Sequence, residues 1–280
     1  MTAERQKQQG PIGIFDSGVG GLSVLREVRR TLPGEDLIYL ADQAHVPYGE
    51  RSREDVLEYA QGIIRFFIRE GVKLVIIACN TASAAALAEL RQIYPALPFV
   101  GMEPAVKPAA KETSTGVVGV LATPATFQGD LYASTVERFA KGVKILQDTC
   151  PGLVAEIEGG RRDGHRARQI LEHALGPMLD QGVDEVVLGC THYPFVIPLI
   201  QEIAGDGVEV IDPAPAVARQ AGRLLADYDL GTSSPGRGRI RFFTTGRPEA
   251  FSRILEDLLG LQAEVIGLRW RGADLESRPE

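Results

Sequence analysis

Two stretches of the chain align without a gap at a constant offset of 111 residues, and this duplication constrains the fold more than any other feature. Glu70 to Thr81 reads EGVKLVIIACNT, and Gln181 to His192 reads QGVDEVVLGCTH. Each runs from a Gly-Val pair through a short apolar segment to a cysteine, Cys79 or Cys190, and then to a polar pair. With 280 residues there is room for one large domain or two ordinary ones. A repeat of this spacing favours two. Elsewhere, short β-branched runs alternate with segments of helical periodicity, the pattern of βαβ units and a mostly parallel sheet.

The expected strands of a first unit are Ile12–Phe15, Asp36–Leu40, Leu74–Ala78 and Pro98–Val100. Those of a second are Val117–Leu121, Val143–Gln147, Glu185–Gly189 and Val208–Ile211. Helical periodicity marks Gly21–Arg30, Arg53–Glu70 and Ala82–Tyr94, then Phe127–Phe139, Ala167–Gln181 and Pro194–Ile203. Gly101–Pro108 reads as a crossover into the second unit and Asp212–Pro215 as a return, followed by a helix at Ala216–Ala226. The loop Gly231–Gly238 is flexible by composition, Ile240–Thr244 is a further strand and Glu249–Leu259 a further helix. The expected architecture is therefore two pseudo-symmetric α/β domains with mostly parallel sheets flanked by helices. The first is discontinuous, residues 11–102 plus 214–270, and the second is 103–213. Residues 1–10 and 271–280 are polar and expected to fray.

Composition narrows the function by exclusion. At 44% hydrophobic and 24% charged residues the chain reads as an ordinary soluble globular protein. A net charge of −7 argues against non-specific binding to nucleic acid or anionic membranes. The basic run Arg161–Arg168 has no interleaved aromatics and reads as a solvated loop and helix start. No apolar run approaches the ~20 residues of a membrane span, and MTAERQKQQG has no apolar core of a secretory signal. Three cysteines fit free thiols in a reducing cytoplasm. No CxxC or HExxH occurs and the four histidines are scattered, so no metal is expected.

Both matched cysteines fall where a strand ends and a helix begins. Open α/β sheets bind ligands at that edge, and a helix start offers unpaired N–H groups and a positive dipole end that favour a thiolate or hold a carboxylate. The alternative is that both thiols are structural, since free cysteine is often buried; duplication and the polar residues that follow each one favour chemistry. Two thiols on two half-sites are the arrangement needed to remove a proton from one face of a carbon and return one on the other. Cys150 has no such duplicate and is expected to do no chemistry. Asp16 and Ser17, in GIFDSGVGG (13–21), put a carboxylate and a hydroxyl on a Gly-rich turn after a strand, without the glycine spacing of a dinucleotide site. Asp16 reads equally well as a helix cap. In the loop ADQAHVPYG (41–49), His45 reads as a surface residue.

Taken together, IGIFDSGVGGLSVL (12–25), YLADQAHVPYGERS (39–52), ACNTASA (78–84), LATPATF (121–127), LGCTHYP (188–194) and FFTTGRPEAF (242–251) resemble the cofactor-independent glutamate racemases. The resemblance spans nearly the whole chain in order. It implies an active site at the interface of two α/β domains, no cofactor and no metal, with Cys79 and Cys190 as the two acid–base residues. It further implies that Asp16 assists Cys79 and that His192, with Glu158, assists Cys190. Ser17, Pro47, Tyr48, Gly49, Asn80, Thr81, Thr123 and Thr191, together with Asp16 and His192, fall on or beside its substrate-binding motifs. Glu158 is placed by its spacing from Cys150-Pro151, in a stretch that departs from the usual pattern; Gln43 and His45 also depart, from Thr and Arg.

The implied activity is interconversion of L- and D-glutamate in the cytoplasm, feeding peptidoglycan synthesis, by a homodimer with no nucleic-acid partner. With reacting distances of ~3.5 Å on each side, the two sulfurs would lie ~7 Å apart across the α-carbon. Three other readings stay open. An aspartate racemase would differ in accepted side-chain length. A single-cysteine amidohydrolase would use Cys190 with His192 and form an acyl-enzyme. A non-enzymatic binding protein would keep its function without either thiol.

Overall fold

The computed structural model describes residues 10–232 and 236–278. The expected fraying of residues 1–9 lies outside the described residues, as do positions 233–235 of the expected flexible loop. The chain divides into two compact units: one runs to Met102 and resumes at Ala214, and the other is Glu103–Pro213.

The first unit holds a seven-stranded sheet in the order β11-β10-β9-β2-β1-β3-β4. Its strands are β1 (Ile12–Asp16), β2 (Leu37–Ala41), β3 (Leu74–Ile77), β4 (Phe99–Val100), β9 (Ile240–Thr244), β10 (Val265–Arg271) and β11 (Asp274–Ser277). All pairings are parallel except β10 with β11. The second unit holds a parallel four-stranded sheet in the order β6-β5-β7-β8. Its strands are β5 (Val117–Ala122), β6 (Lys144–Asp148), β7 (Glu185–Gly189) and β8 (Glu209–Ile211). Set side by side, β2-β1-β3-β4 and β6-β5-β7-β8 have the same strand order, so the sequence repeat is a repeat of topology. In each, the chain reverses its direction of progress between the first strand and the third. The duplicated cysteine follows the third strand, two residues past Ile77 in one unit and one past Gly189 in the other.

Local sequence explains the repeat. Helix α2 (Arg53–Arg69) is stopped by Gly71 at φ +72°, with the Val72 N–H donating to the Phe67 carbonyl at 3.0 Å. The same device ends the helix before β7: Gly182 sits at φ +78°, and the Val183 N–H reaches the Met178 carbonyl at 3.2 Å. Only glycine enters this left-handed conformation without steric cost, and the 6→1 bond satisfies an orphan carbonyl while tucking the valine inward. Val72 and Val183 are both buried, and each leads into a strand that is buried along its whole length and, Glu185 apart, carries no charged residue.

One face of the first sheet is covered by α2 and α3 (Asn80–Ile93), packing Phe15, Phe67, Ile63 and Leu90 into one cluster. Burying each of these large side chains contributes about 1.5–3 kcal/mol. In the second unit, α4 (Val106–Glu112), α5 (Pro124–Gln128) and α6 (Asp130–Phe139) contribute Val106, Phe127 and Tyr132 to one cluster. The other cluster draws on α7 (Leu153–Glu158), α8 (His165–Leu179) and α9 (Ile197–Ala204). The remaining helices, α1 (Leu22–Thr31), α10 (Ala214–Asp227) and α11 (Pro248–Leu259), belong to the first unit.

Several local expectations are corrected. The helix read at Phe127–Phe139 is two helices, because Gly129 is extended and caps the second. The stretch Pro194–Ile203 begins as a 3-10 turn, Tyr193–Val196, before α9. The crossover Gly101–Pro108 already contains the start of α4. Positions 279 and 280 of the polar end lie outside the described residues, but residues 271–278 do not fray: Asp274–Ser277 pairs antiparallel with β10, registering Trp270 with Leu275. Its alternation of polar and apolar residues is that of a half-exposed edge strand, which composition alone reads as disorder.

Candidate active site

In the first unit, Asp16 is the last residue of β1 and Cys79 lies just past β3, the strand beside it. Phe15 registers with Ile77 and the Ala78 N–H donates to the Phe15 carbonyl at 2.8 Å, so Cys79 lies one residue beyond the level of Asp16 at the same carboxyl edge. Asp16 is fully buried, and its Oδ1 accepts the Gly18 N–H at 2.8 Å. The turn can close only because Gly21 has no side chain. A Cβ there would meet Asp16 Cβ at 2.7 Å and the Tyr39 hydroxyl at 2.9 Å. Tyr39 in turn donates to the Gly18 carbonyl.

Cys79 is the N-cap of α3, and its Sγ accepts the Ala82 N–H at 3.4 Å. Helix-start N–H groups and the dipole's positive end stabilise negative charge on that sulfur. Asn80 and Thr81, which follow Cys79, are buried, and so is Ser17, which follows Asp16. Neither the Asn80 carboxamide oxygen nor its nitrogen has a hydrogen-bond partner, although both atoms are buried. Such a group costs free energy unless a ligand fills its valences. Pro47, Tyr48 and Gly49 lie on the loop after β2, where a 3-10 turn (Tyr48–Glu50) carries the buried Tyr48. Burial pushes the Tyr48 phenol well above its ordinary value, and the charges of Asp42, Cys79 and Asp16 push the same way.

In the second unit, Cys190 follows β7 and is buried. His192 Nδ1 lies 3.7 Å from its Sγ, and His192 Nε2 lies 2.7 Å from Glu158 Oε1. Glu158 comes from the last residue of α7, so the sequence-distant carboxylate and the imidazole form one chain to the thiol. Burial opposes a charged His192 ring, but the Cys190 and Glu158 partners outweigh it and raise its pKa well above 6.5. Thr191 is buried between them in sequence. Thr123, half-buried, caps α5 by accepting the Thr126 N–H at 3.3 Å, and it follows β5, the strand next to β7. Cys150 is buried, and its thiol is pushed up by that burial and by Asp148.

The fold thus gathers Asp16, Ser17, Tyr48, Asn80, Thr81 and Cys79 at one sheet edge, and Cys190, Thr191, His192, Glu158 and Thr123 at the corresponding edge of the other unit. His45 is corrected: it is not a free surface side chain. It bonds Asp42 at 2.8 Å and stacks on Tyr59 with ring centroids 3.8 Å apart. Sequence reasoning passed over Asp42, whose single position in a polar loop carries no spacing signal.

The family model for Asp/Glu/Hydantoin racemase matches residues 12–221. A glutamate racemase from a Roseiflexus species is 51% identical over 249 residues, covering 89% of this chain and 92% of that protein. Among solved structures, a glutamate racemase isoform from Bacillus anthracis superposes with a TM-score of 0.82 at 34% identity, covering 92% of this chain and 97% of that one. One from Francisella tularensis, in complex with D-glutamate, gives 0.80 at 32% identity over the same shares. With its two repeated α/β units and a thiol just past each third strand, the chain belongs to the Asp/Glu/Hydantoin racemase family.

Proposed function

We propose that Cys79 and Cys190 are the two bases of a proton-transfer reaction that racemises glutamate. The activity itself, interconversion of L- and D-glutamate, follows from family membership and from curated glutamate racemases about half identical over some nine-tenths of the chain. The observation that supports the mechanism is the pair of thiols just past equivalent strands, with Asp16 at the carboxyl edge of the first unit and His192 with Glu158 beside the thiol of the second.

In this reading both thiols act on the same substrate carbon. The thiolate on one side takes the α-proton and becomes a thiol, and the thiol on the other side gives its proton to the carbanion and becomes a thiolate. Cys79 acts on D-glutamate and Cys190 on L-glutamate. Asp16 relays protons for Cys79, and His192 with Glu158 relays them for Cys190. Helix-start N–H groups and Ser17, Asn80, Thr81 and Thr191 hold the substrate's carboxylates, with Pro47, Tyr48, Gly49 and Thr123 completing the pocket. The unpaired Asn80 carboxamide supports this, because a substrate carboxylate and ammonium offer the acceptor and donor it lacks. Electrostatic positioning replaces an imine-forming cofactor in lowering the barrier to the carbanion. The product D-glutamate would serve peptidoglycan synthesis in the cytoplasm, and the working form would be a homodimer. No helix among the described residues is long and apolar enough to cross a membrane.

The test is incubation of the purified protein with L-glutamate in D₂O, followed by proton NMR and circular dichroism. Loss of optical activity together with loss of the α-proton signal is expected. Exchange of L-aspartate but not L-glutamate would move the substrate assignment, and a trapped acyl-cysteine without exchange would overturn the two-base reading.

A further inference from the structure

Asp42, the residue after β2, is fully buried, and four side chains converge on its carboxylate, two from its own loop and two from distant parts of the first unit. The Tyr48 hydroxyl donates to Oδ2 at 2.7 Å and His45 Nδ1 lies 2.8 Å from the same oxygen. The Thr245 hydroxyl donates to Oδ1 at 2.8 Å, and so does the Trp270 indole N–H at 2.8 Å. A carboxylate accepts only, which fixes the proton of His45 on Nδ1 and leaves every one of the four bonds pointing inward. The Asp42 backbone N–H donates to the Asp16 carbonyl at 3.0 Å, so the hub is tied directly to the catalytic strand end.

The indole is seated with care. It comes from β10, and its ring lies against His45 and Tyr59, with centroids 5.3 and 5.9 Å away. Gly62, in the middle of α2, makes the room: a Cβ there would meet Trp270 Cζ3 and the Ala273 carbonyl at 2.5 Å. A mid-helix glycine is otherwise unfavourable. Thr245 also accepts the Ala44 N–H at 2.9 Å, holding the start of the same loop. Thr245 and Trp270 both lie beyond the segment that the family model matches, residues 12–221.

We propose that Asp42 is a positioning residue for the substrate loop 43–49, and that Trp270, on the C-terminal hairpin, is the clamp that orients the Asp42 carboxylate toward Tyr48. The C-terminal hairpin thereby becomes part of the site's binding geometry without touching substrate. The inference rests on the reading that places Tyr48 on the glutamate site. Fixing the loop in advance spares the entropy of ordering it on binding, so the clamp acts on substrate affinity more than on the chemical step.

The experiment compares wild type with Trp270→Phe, which keeps an aromatic ring but loses the N–H, with Asp42→Asn and with the double variant. For both glutamate enantiomers KM should rise about five- to tenfold in each single variant, the effect of one hydrogen bond, with kcat within about twofold. The double variant should be no worse than Asp42→Asn, because both changes break one linkage. Wild-type KM in Trp270→Phe, or fully additive effects, would overturn the clamp. Should wild type fail to racemise glutamate, the functional reading falls, and the clamp is judged by amide exchange of residues 43–49. Faster exchange in both variants supports it, and unchanged exchange overturns it.

Discussion

The two halves of the duplication put a cysteine at the same place in the same topology, yet they surround it differently. Cys79 has a carboxylate from the neighbouring strand, Asp16, a helix-start N–H on its sulfur and an unpaired carboxamide beside it. Cys190 has an imidazole two residues along the chain, with a carboxylate behind it from a separate helix. Backbone architecture repeats because it depends on the Gly-Val turn and an apolar strand. Partner chemistry diverges because the polar pair that closes each copy differs, Asn80-Thr81 against Thr191-His192, and because Asp16 and Glu158 come from outside the repeat. The same contrast holds at the opposite ends of the two strands. Lys73 forms a buried ion pair with Glu35 at 2.6 Å, whereas its counterpart Asp184 accepts hydrogen bonds from Ser114 and Thr115. Those bonds, with one from Thr113, outweigh burial and hold the Asp184 carboxyl well below the usual carboxylate range. A repeat therefore conveys position, and the partners convey direction.

Removing the thiols one at a time is expected to have the largest effect. Cys79→Ser and Cys190→Ser should each lower racemisation by at least about 10³-fold, the upper part of the range for general acid–base groups. They should differ in which enantiomer still exchanges its α-proton in D₂O, followed by proton NMR. Identical residual behaviour would mean that the halves are not assigned to opposite faces.

A smaller effect separates the relays. Glu158→Gln removes a partner that raises the His192 pKa, so the pH profile for L-glutamate should shift to lower pH and kcat should fall about 10- to 100-fold. The D-glutamate direction should shift less. The sign follows from linkage: a raised histidine pKa contributes stability that is complete below its ordinary 6.5 and is lost as pH rises through the folded value. Weakening the partner moves that loss to lower pH. Equal shifts in both directions would show that His192 serves both thiols.

The smallest effect concerns structure alone. Glu185, the counterpart of Leu74, is buried with one carboxylate oxygen unpartnered, and burial together with Asp184, Glu112 and Glu209 raises its pKa from 4.5 to about 6. Ionising such an acid costs stability, and the cost grows as pH rises from the unfolded value to above the folded one. Glu185→Gln should therefore stabilise the protein by about 1 kcal/mol at pH 8 and by nearly nothing at pH 4. Chemical denaturation at the two pH values measures it, and no pH dependence would remove Glu185 from the account.

Much of this was legible in the chain itself. The Gly-Val turns, the alternation of apolar strands with amphipathic helices, and the two cysteines at strand ends are local or repeated signals, and they determine topology through backbone sterics and burial. Gly71 and Gly182 illustrate it, since the left-handed turn needs glycine whatever surrounds it. Which distant groups meet follows from the packed fold instead. The family resemblance implies a role for Glu158, but its 2.7 Å contact with His192 depends on where the end of α7 packs. Asp42 looked like one acidic residue in a polar loop, and Trp270 lay next to a tail read as frayed. Their contact joins residues 228 positions apart in sequence. Hydrogen bonds are short-ranged and directional, so their partners follow from packed geometry, while the strands and turns that bring them together follow from the periodicity of the sequence.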